Sequence, residues 1–197
     1  MSNIRKPTKL ESQYIAWQNK SFQFYLASRT LYFDKLYSPT VFCANQTIEL
    51  LLKATLIYWD KSFKPEEAKH KFPSMLDALH NKVKGSNDVY IPEYFYHEGR
   101  YQSVSRYPRT QLDNVIIIPG NFLFDLDKVF YDLIVLVPIQ FNSMLINLLG
   151  NPEDENLYLL KRDNFQIDRL IEFLQPWLKK SPNDLAPFPK EFITAQR

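Results

Sequence analysis

Residues 40–60 read TVFCANQTIELLLKATLIYWD, and this stretch decides the fold of the chain. Its apolar and small side chains recur at spacings of three and four residues, which is the period of an α-helix with one buried face. The positions that carry this period are Val41, Ala44, Ile48, Leu51, Thr55 and Trp59. The Thr40 hydroxyl can accept a free backbone N–H of the first turn, so we predict a helix that Thr40 caps and that continues to about Asp60.

A long first helix is predicted on the N-terminal side, from Glu11 to Leu36, and Ser38-Pro39 separates it from the second. Aromatic side chains form its apolar stripe, and polar side chains form a face that can stay in water. The stripe contains Tyr14, Trp17, Phe22, Tyr25 and Phe33, and the polar face contains Gln18, Lys20, Arg29 and Lys35.

On the C-terminal side, a third helix is predicted from Phe72 to Val83, after a single turn that starts at Pro65. Residues 89–120 contain three prolines and no sustained period, so they are predicted to form a long loop. Within this loop, Val115 to Ile118 is a short apolar run that fits a strand or a buried extended segment.

A fourth helix is predicted from Leu126 to about Leu149, capped by Asp125 and bent at Pro138. A fifth helix is predicted from Asp163 to about Leu174. The pattern therefore predicts an all-α fold of about five helices. We expect one domain over residues 1–180 and an irregular, proline-rich tail over residues 181–197.

Composition narrows the class of protein further. The 197 residues carry a formal net charge of +2, which argues against a broadly basic nucleic-acid coat. Only four glycines occur, so a glycine-rich phosphate loop is excluded, and a single cysteine excludes an intrachain disulfide and a cysteine-based zinc site. The most apolar stretch, Val129 to Leu149, is interrupted by several polar residues. We expect a cytoplasmic protein without a signal peptide or a membrane span.

Two places on the predicted helices can carry chemistry. Gln46, Glu49 and Lys53 share one face of the second helix, either as a solvated face with an ordinary ion pair or as part of a site. His70 stands just before the third helix, where its imidazole can play a structural role, bonding across to the second helix, or a catalytic one. The three histidines share no helical i, i+4 spacing, so no zinc site on one helix and no other metal site is expected.

The densest basic and aromatic segment is Gly99 to Arg109. Guanidinium groups suit phosphate and tyrosine rings can stack on bases, so this segment is a candidate nucleic-acid contact. Its candidate residues are Arg100, Tyr101, Arg106, Tyr107 and Arg109. The alternative is that Arg106 and Tyr107 pack inward and anchor the loop.

In their order along the chain, these segments resemble the HEPN domain, a nucleotide-binding helical domain named for its occurrence in higher eukaryotes and prokaryotes. Residues 46–54, QTIELLLKA, are similar to the family's helix that carries a Glu and a Lys. His70 ahead of Leu76 is similar to the family's His-then-Leu at the third helix. Arg106-Tyr107-Pro108 is similar to the Arg-Tyr-Pro that precedes the fourth helix in many members. The resemblance covers residues 15–149.

This resemblance implies an antiparallel up-and-down bundle of four to five helices that commonly pairs into a homodimer. It also implies one of several functions: metal-independent ribonuclease, toxin, phage-defence effector, nucleotide binder, or non-catalytic partner of a minimal nucleotidyltransferase. The nuclease members carry an arginine followed, after four to six residues, by a histidine. None of His70, His80 and His97 has an arginine at that spacing, which argues against an enzyme.

We therefore expect a non-catalytic module, without a cofactor, that binds a nucleotide or an RNA phosphate. Its setting would be a toxin–antitoxin, phage-defence or nucleotidyltransferase-partner system. The ligand-binding residues we expect are Glu49, Lys53, His70, Arg100, Tyr101, Arg106, Tyr107 and Arg109.

Two alternatives stay open. One is a divergent metal-independent ribonuclease that uses His70 or His97. The other is a structural or interaction protein whose many aromatic residues serve core and dimer packing. A homodimer is expected in either case, because the first two helices carry more apolar side chains than one inward face needs.

Overall fold

The computed structural model describes residues 9–68, 70–96, 119–137 and 144–178. The helices within these ranges are α1 (Lys9–Phe33), α2 (Tyr37–Trp59), α3 (Pro65–Ala68), α4 (Phe72–Lys82), a 3-10 turn (Glu93–Phe95), α5 (Phe122–Ile134), α6 (Met144–Gly150), α7 (Glu155–Lys161) and α8 (Ile167–Leu178). No strand occurs in the four ranges, so the predicted all-α class is confirmed. The segment Val115 to Ile118, Pro138 and the tail at 181–197 lie outside the described residues.

The centre of the fold is α2, which is buried on almost every side. It lies antiparallel to α1, because Ser21 Oγ donates to the Thr47 carbonyl at 2.8 Å and Ser28 Oγ donates to the Thr40 carbonyl at 3.0 Å. The connection between the two helices turns at Lys35, whose φ of 60° lies in the left-handed region. Helices α4 and α5 and the 3-10 turn also pack on α2.

The predicted cap of α2 was wrong. The helix begins at Tyr37, and Pro39 lies in its first turn, where a missing N–H leaves no helical bond unmade. Thr40 is therefore inside the helix, and its Oγ1 donates back to the Leu36 carbonyl at 2.7 Å. The predicted cap at Asp125 was also wrong: α5 begins at Phe122, with Asn121 at its N-cap, so Asp125 lies inside the helix.

The described part holds eight α-helices rather than about five. One cause is that the predicted fourth helix is interrupted: α5 ends at Ile134, residues 135–137 form a turn and a bend, and α6 is described over Met144–Gly150. Trp59 Nε1 donates to the Leu136 carbonyl at 2.7 Å, which satisfies a backbone acceptor in the turn after α5. The other causes are the short α3, which was predicted only as a turn, and α7, which was not predicted.

Two side chains that were assigned to the wet face of α1 are buried. Gln18 is 3% exposed and Arg29 is fully buried. Arg29 is accommodated because Asp127 of α5 supplies a buried counter-charge. Around this pair, Tyr25 stacks on Phe130, with ring centroids 4.0 Å apart.

Of the helices that the structure describes, none combines the length and the apolar character needed to cross a membrane.

Candidate functional site

Glu49 of α2 is a buried carboxylate, and both of its oxygens have partners. Lys53, one turn further along α2, donates from Nζ to Oε1 at 2.7 Å. Nδ1 of His70 lies 2.8 Å from Oε2. Because an ionised carboxylate only accepts hydrogen bonds, the imidazole donates its Nδ1–H. The structure thus brings together three residues that the sequence singled out; we call them the Glu49 cluster (Glu49, Lys53 and His70).

The position of His70 follows from the short connection between α3 and α4. The Lys71 N–H donates to the Ala68 carbonyl at 3.2 Å, and the Phe72 N–H donates to the His70 carbonyl at 3.0 Å. Phe72 is almost fully buried in the core and anchors the start of α4. This turn holds the imidazole beside the middle of α2, so His70 makes the bond to the second helix that was one of its two predicted roles.

Lys53 is buried as well, which excludes a solvated face for this part of α2. Its ammonium lies 5.4 Å from the centroid of the Trp17 ring on α1, within the range of a cation–π contact. Lys53 therefore lies between the Glu49 carboxylate and an aromatic face. A buried pair of this kind offsets its own loss of hydration only when both partners are present.

His70 is the part of the cluster that faces solvent. Its side chain is 53% exposed, against 4% for Glu49. Nδ1 is held by Glu49, and Nε2 has no hydrogen-bond partner among the residues that the structure describes. Nε2 accepts a hydrogen bond when the ring is neutral and donates one when the ring is protonated. A ligand can thus meet the cluster through Nε2.

Two residues with side-chain amides lie on the same face of α2 as Glu49. Asn45 precedes Glu49 by four residues and Gln46 precedes it by three, so helix geometry puts them on one face. Both polar side-chain atoms of Asn45, and Nε2 of Gln46, are buried and have no hydrogen-bond partner within the described ranges. Leaving one such group unpaired costs about 1–3 kcal/mol. Asn45 was missed at the sequence level, although its spacing of four from Glu49 was a usable signal.

Five of the predicted ligand-binding residues lie outside the described residues. They are Arg100, Tyr101, Arg106, Tyr107 and Arg109. Only Glu49, Lys53 and His70 of the predicted set are therefore placed by the structure. Within the described ranges, no group of three or more His, Cys, Asp or Glu side chains is arranged to hold a metal ion.

No match to this chain is found among protein-family models, curated proteins or solved structures. The candidate site therefore depends on its own geometry and on the sequence motifs.

A surface cavity of about 350 Å³ lies elsewhere, between α5 and α8. It is lined by Tyr131, Arg169, Glu172 and Phe173. The guanidinium of Arg169 stacks 4.7 Å from the centroid of the Tyr131 ring. The cavity includes none of the predicted site residues.

Proposed function

We propose that this chain is a non-catalytic, HEPN-like module that binds a nucleotide or an RNA phosphate. The observation that carries the proposal is the half-exposed imidazole of His70, which a buried carboxylate holds by Nδ1, while Nε2 has no partner among the described residues. A fixed ring with a free N–H donor in its protonated form suits a phosphate oxygen.

The charges of the cluster favour an anion over a cation. Glu49 carries one negative charge, and the ammonium of Lys53 at 2.7 Å balances it. Both carboxylate oxygens are already in use, so neither is left to ligate a cation. The sequence adds three arginines over residues 100–109, whose planar forks match phosphate.

The proposal has no catalytic step, because no histidine of this chain follows an arginine at the spacing of the nuclease members. As the resemblance implies, the module would act in a toxin–antitoxin, phage-defence or nucleotidyltransferase-partner system.

A homodimer is part of the same proposal. Tyr32, Phe33, Phe42 and Tyr58, which were expected to be left over, are only partly buried within the chain. Phe165 is 75% exposed, and its ring lies 6.2 Å from that of Phe124, which is also exposed. Exposed aromatic pairs of this kind support a contact between copies. Sedimentation equilibrium tests this; a monomer at tens of micromolar would count against a dimer.

Equilibrium binding of labelled short RNAs, with nucleotides as competitors, tests the proposed ligand. We expect binding that weakens as salt rises, and we expect His70→Gln to weaken it by about tenfold or more. His80→Gln is the matched control, because His80 of α4 bonds to the Val89 carbonyl instead of to Glu49. A wild-type chain that binds no RNA or nucleotide below about 1 mM would contradict the proposal.

A divergent ribonuclease is the second candidate, and the same pair favours it. An imidazole whose Nδ1 is oriented by a carboxylate can act as a general base or acid through Nε2. The test is RNA cleavage in the presence of a chelator by the wild type, His70→Ala and His80→Ala. Cleavage that is lost only in His70→Ala would support an enzyme, and an inert wild type would exclude one.

A further inference from the structure

Asn45 carries a buried side-chain amide, 1% exposed, on the same face of α2 as Glu49. Among the residues that the structure describes, neither its Oδ1 nor its Nδ2 has a hydrogen-bond partner. Gln46, the next residue, has its Nε2 in the same state. Buried side-chain amides normally find partners, because a donor or acceptor removed from water is otherwise unfavourable. The unpartnered atoms of these two adjacent amides, beside the Glu49 cluster, therefore indicate a place where a second molecule can supply the missing bonds.

We propose that Asn45, assisted by Gln46, binds the base of an adenine nucleotide whose phosphate lies at His70. This inference rests on the proposed function, since it extends the same ligand along α2. Asn45 and Glu49 are separated by about one helical turn, or about 5.4 Å. Because Glu49 holds the His70 ring, a base at Asn45 and a phosphate at His70 would lie at neighbouring turns of α2, and the ribose of one nucleotide would bridge that step.

Adenine is the base that matches the chemistry of these side chains. A planar amide offers an N–H donor beside an acceptor oxygen, and adenine presents N7 as an acceptor beside its N6 amino donor. Nε2 of Gln46 supplies a further donor. Because Asn45 is buried, the residues that cover its side chain must move before a base can reach it. The base is thus expected to bind more slowly than phosphate alone.

The test compares AMP, IMP and ribose 5-phosphate by isothermal titration on the full chain. IMP has an oxo group where AMP has the N6 amine. Its base therefore lacks the N–H group that would donate a hydrogen bond to Asn45 Oδ1. We expect the wild type to bind AMP at least about tenfold more tightly than IMP. Asn45→Leu should bind the two equally and should bind ribose 5-phosphate as the wild type does. Asn147→Leu, an exposed asparagine of α6, is the matched control and should keep the preference.

Thermal unfolding of the same variant separates a binding role from a packing role. Because Leu removes two unpartnered polar atoms, Asn45→Leu should melt at or above the temperature of the wild type. Asn45→Ala provides the same binding comparison if the larger change prevents folding. Equal affinity of the wild type for AMP and IMP, or a preference that survives in both variants, would overturn the inference and leave the proposed function standing. Failure of all three probes to bind the wild type would also overturn the inference, and the RNA titration described above then decides separately whether the proposed function stands.

Discussion

Arg29 of α1 and Asp127 of α5 form an ion pair whose side chains are 0% and 1% exposed. Nη1 of the arginine contacts both carboxylate oxygens, Nε donates to the Leu159 carbonyl at 2.9 Å, and Nη2 donates to the Arg162 carbonyl. The guanidinium thus joins α1, α5 and the end of α7. Its bonds all go to groups of the protein, so this pair holds the fold together and does not belong to the candidate site.

Removing one partner of this pair should be costly. Asp127→Ala leaves a buried guanidinium without its counter-charge, and we expect the free energy of unfolding to fall by about 3–5 kcal/mol. The double variant Arg29→Met with Asp127→Leu removes both charges and should recover much of that loss. Urea denaturation measures both. If Asp127→Ala cost less than about 1 kcal/mol, the pair would not be the anchor described here.

Tyr25 should make the stability depend on alkaline pH. Its hydroxyl donates to Asp127 Oδ1 at 2.6 Å, and burial, together with the nearby charge of Asp127, raises its pKa. An unfolded tyrosine ionises near pH 10. Above that pH the unfolded chain loses a proton that the folded chain keeps, so the contribution is complete below about pH 10 and declines as the pH rises further.

To test this prediction, the free energy of unfolding of the wild type and of Tyr25→Phe is measured by urea denaturation between about pH 8 and pH 11. The variant should be less stable near neutral pH by about 1–3 kcal/mol, since Asp127 and Asn164 each lose a partner. It should also lose stability less steeply with rising pH. Some slope should remain, because burial and the bond to Asp125 raise the pKa of Tyr94 as well. Identical slopes for the two chains would contradict the assignment.

Two Glu–Lys pairs in the described part of the chain provide a matched comparison of burial. Glu49 and Lys53 are buried, whereas Glu67 and Lys64 make a contact of equal length, 2.7 Å, with side chains that are 70% and 67% exposed. Glu49→Ala should lower the free energy of unfolding by about 3–5 kcal/mol, because the Lys53 ammonium stays buried without an anion. Glu67→Ala should change it by no more than about 1 kcal/mol. Equal effects in urea denaturation would mean that Lys53 reaches water when Glu49 is removed.

Local patterns in the sequence predicted most of the helices and the core of the candidate site. Glu49 and Lys53 are four residues apart on one helix, so their pairing follows from the helix itself and needs no knowledge of the tertiary structure. His70 lies 21 residues from Glu49, but a short connection into α4 leaves it few positions, so a bond to α2 was within reach of the sequence.

The sequence alone could not predict which side chains far apart in the chain would pair. Arg29 was predicted to face water because a lone arginine on an amphipathic helix normally does, and only Asp127, 98 residues away, reverses that preference. Likewise, the start of α2 depends on whether Pro39 precedes the helix or enters its first turn. Proline tolerates either position, so the local pattern does not decide.

Cys43 should report the opening of α2. It is the only cysteine in the sequence, and burial raises the pKa of its thiol, so little reactive thiolate is present in the folded chain. We expect iodoacetamide to label the folded protein on the order of 100-fold more slowly than the urea-unfolded protein at pH 8. The labelling rate should rise with urea in parallel with unfolding. Fast labelling without denaturant would mean that α2 opens far more readily than its burial indicates.

Arg106 lies outside the described residues, and a substitution pair can decide its role. Pro108 favours an extended backbone at Tyr107, so Arg106 and Tyr107 are expected on opposite sides of the chain. If Arg106 contacts phosphate through its planar fork, Arg106→Lys keeps the charge but loses the paired donors. RNA binding should then weaken almost as much as in Arg106→Ala, while the same two changes at the exposed Arg169 of α8 should leave it unchanged.

Each other outcome points to a different role for Arg106. Binding by Arg106→Lys that equals the wild type would mean that the segment contributes only diffuse charge, which a lysine supplies as well as an arginine. Loss of folding in both variants, seen as a lost thermal transition, would instead make Arg106 an anchor of the loop. That result would favour an interaction protein over a phosphate-binding one, because a guanidinium that the fold itself uses has no donors left for a ligand.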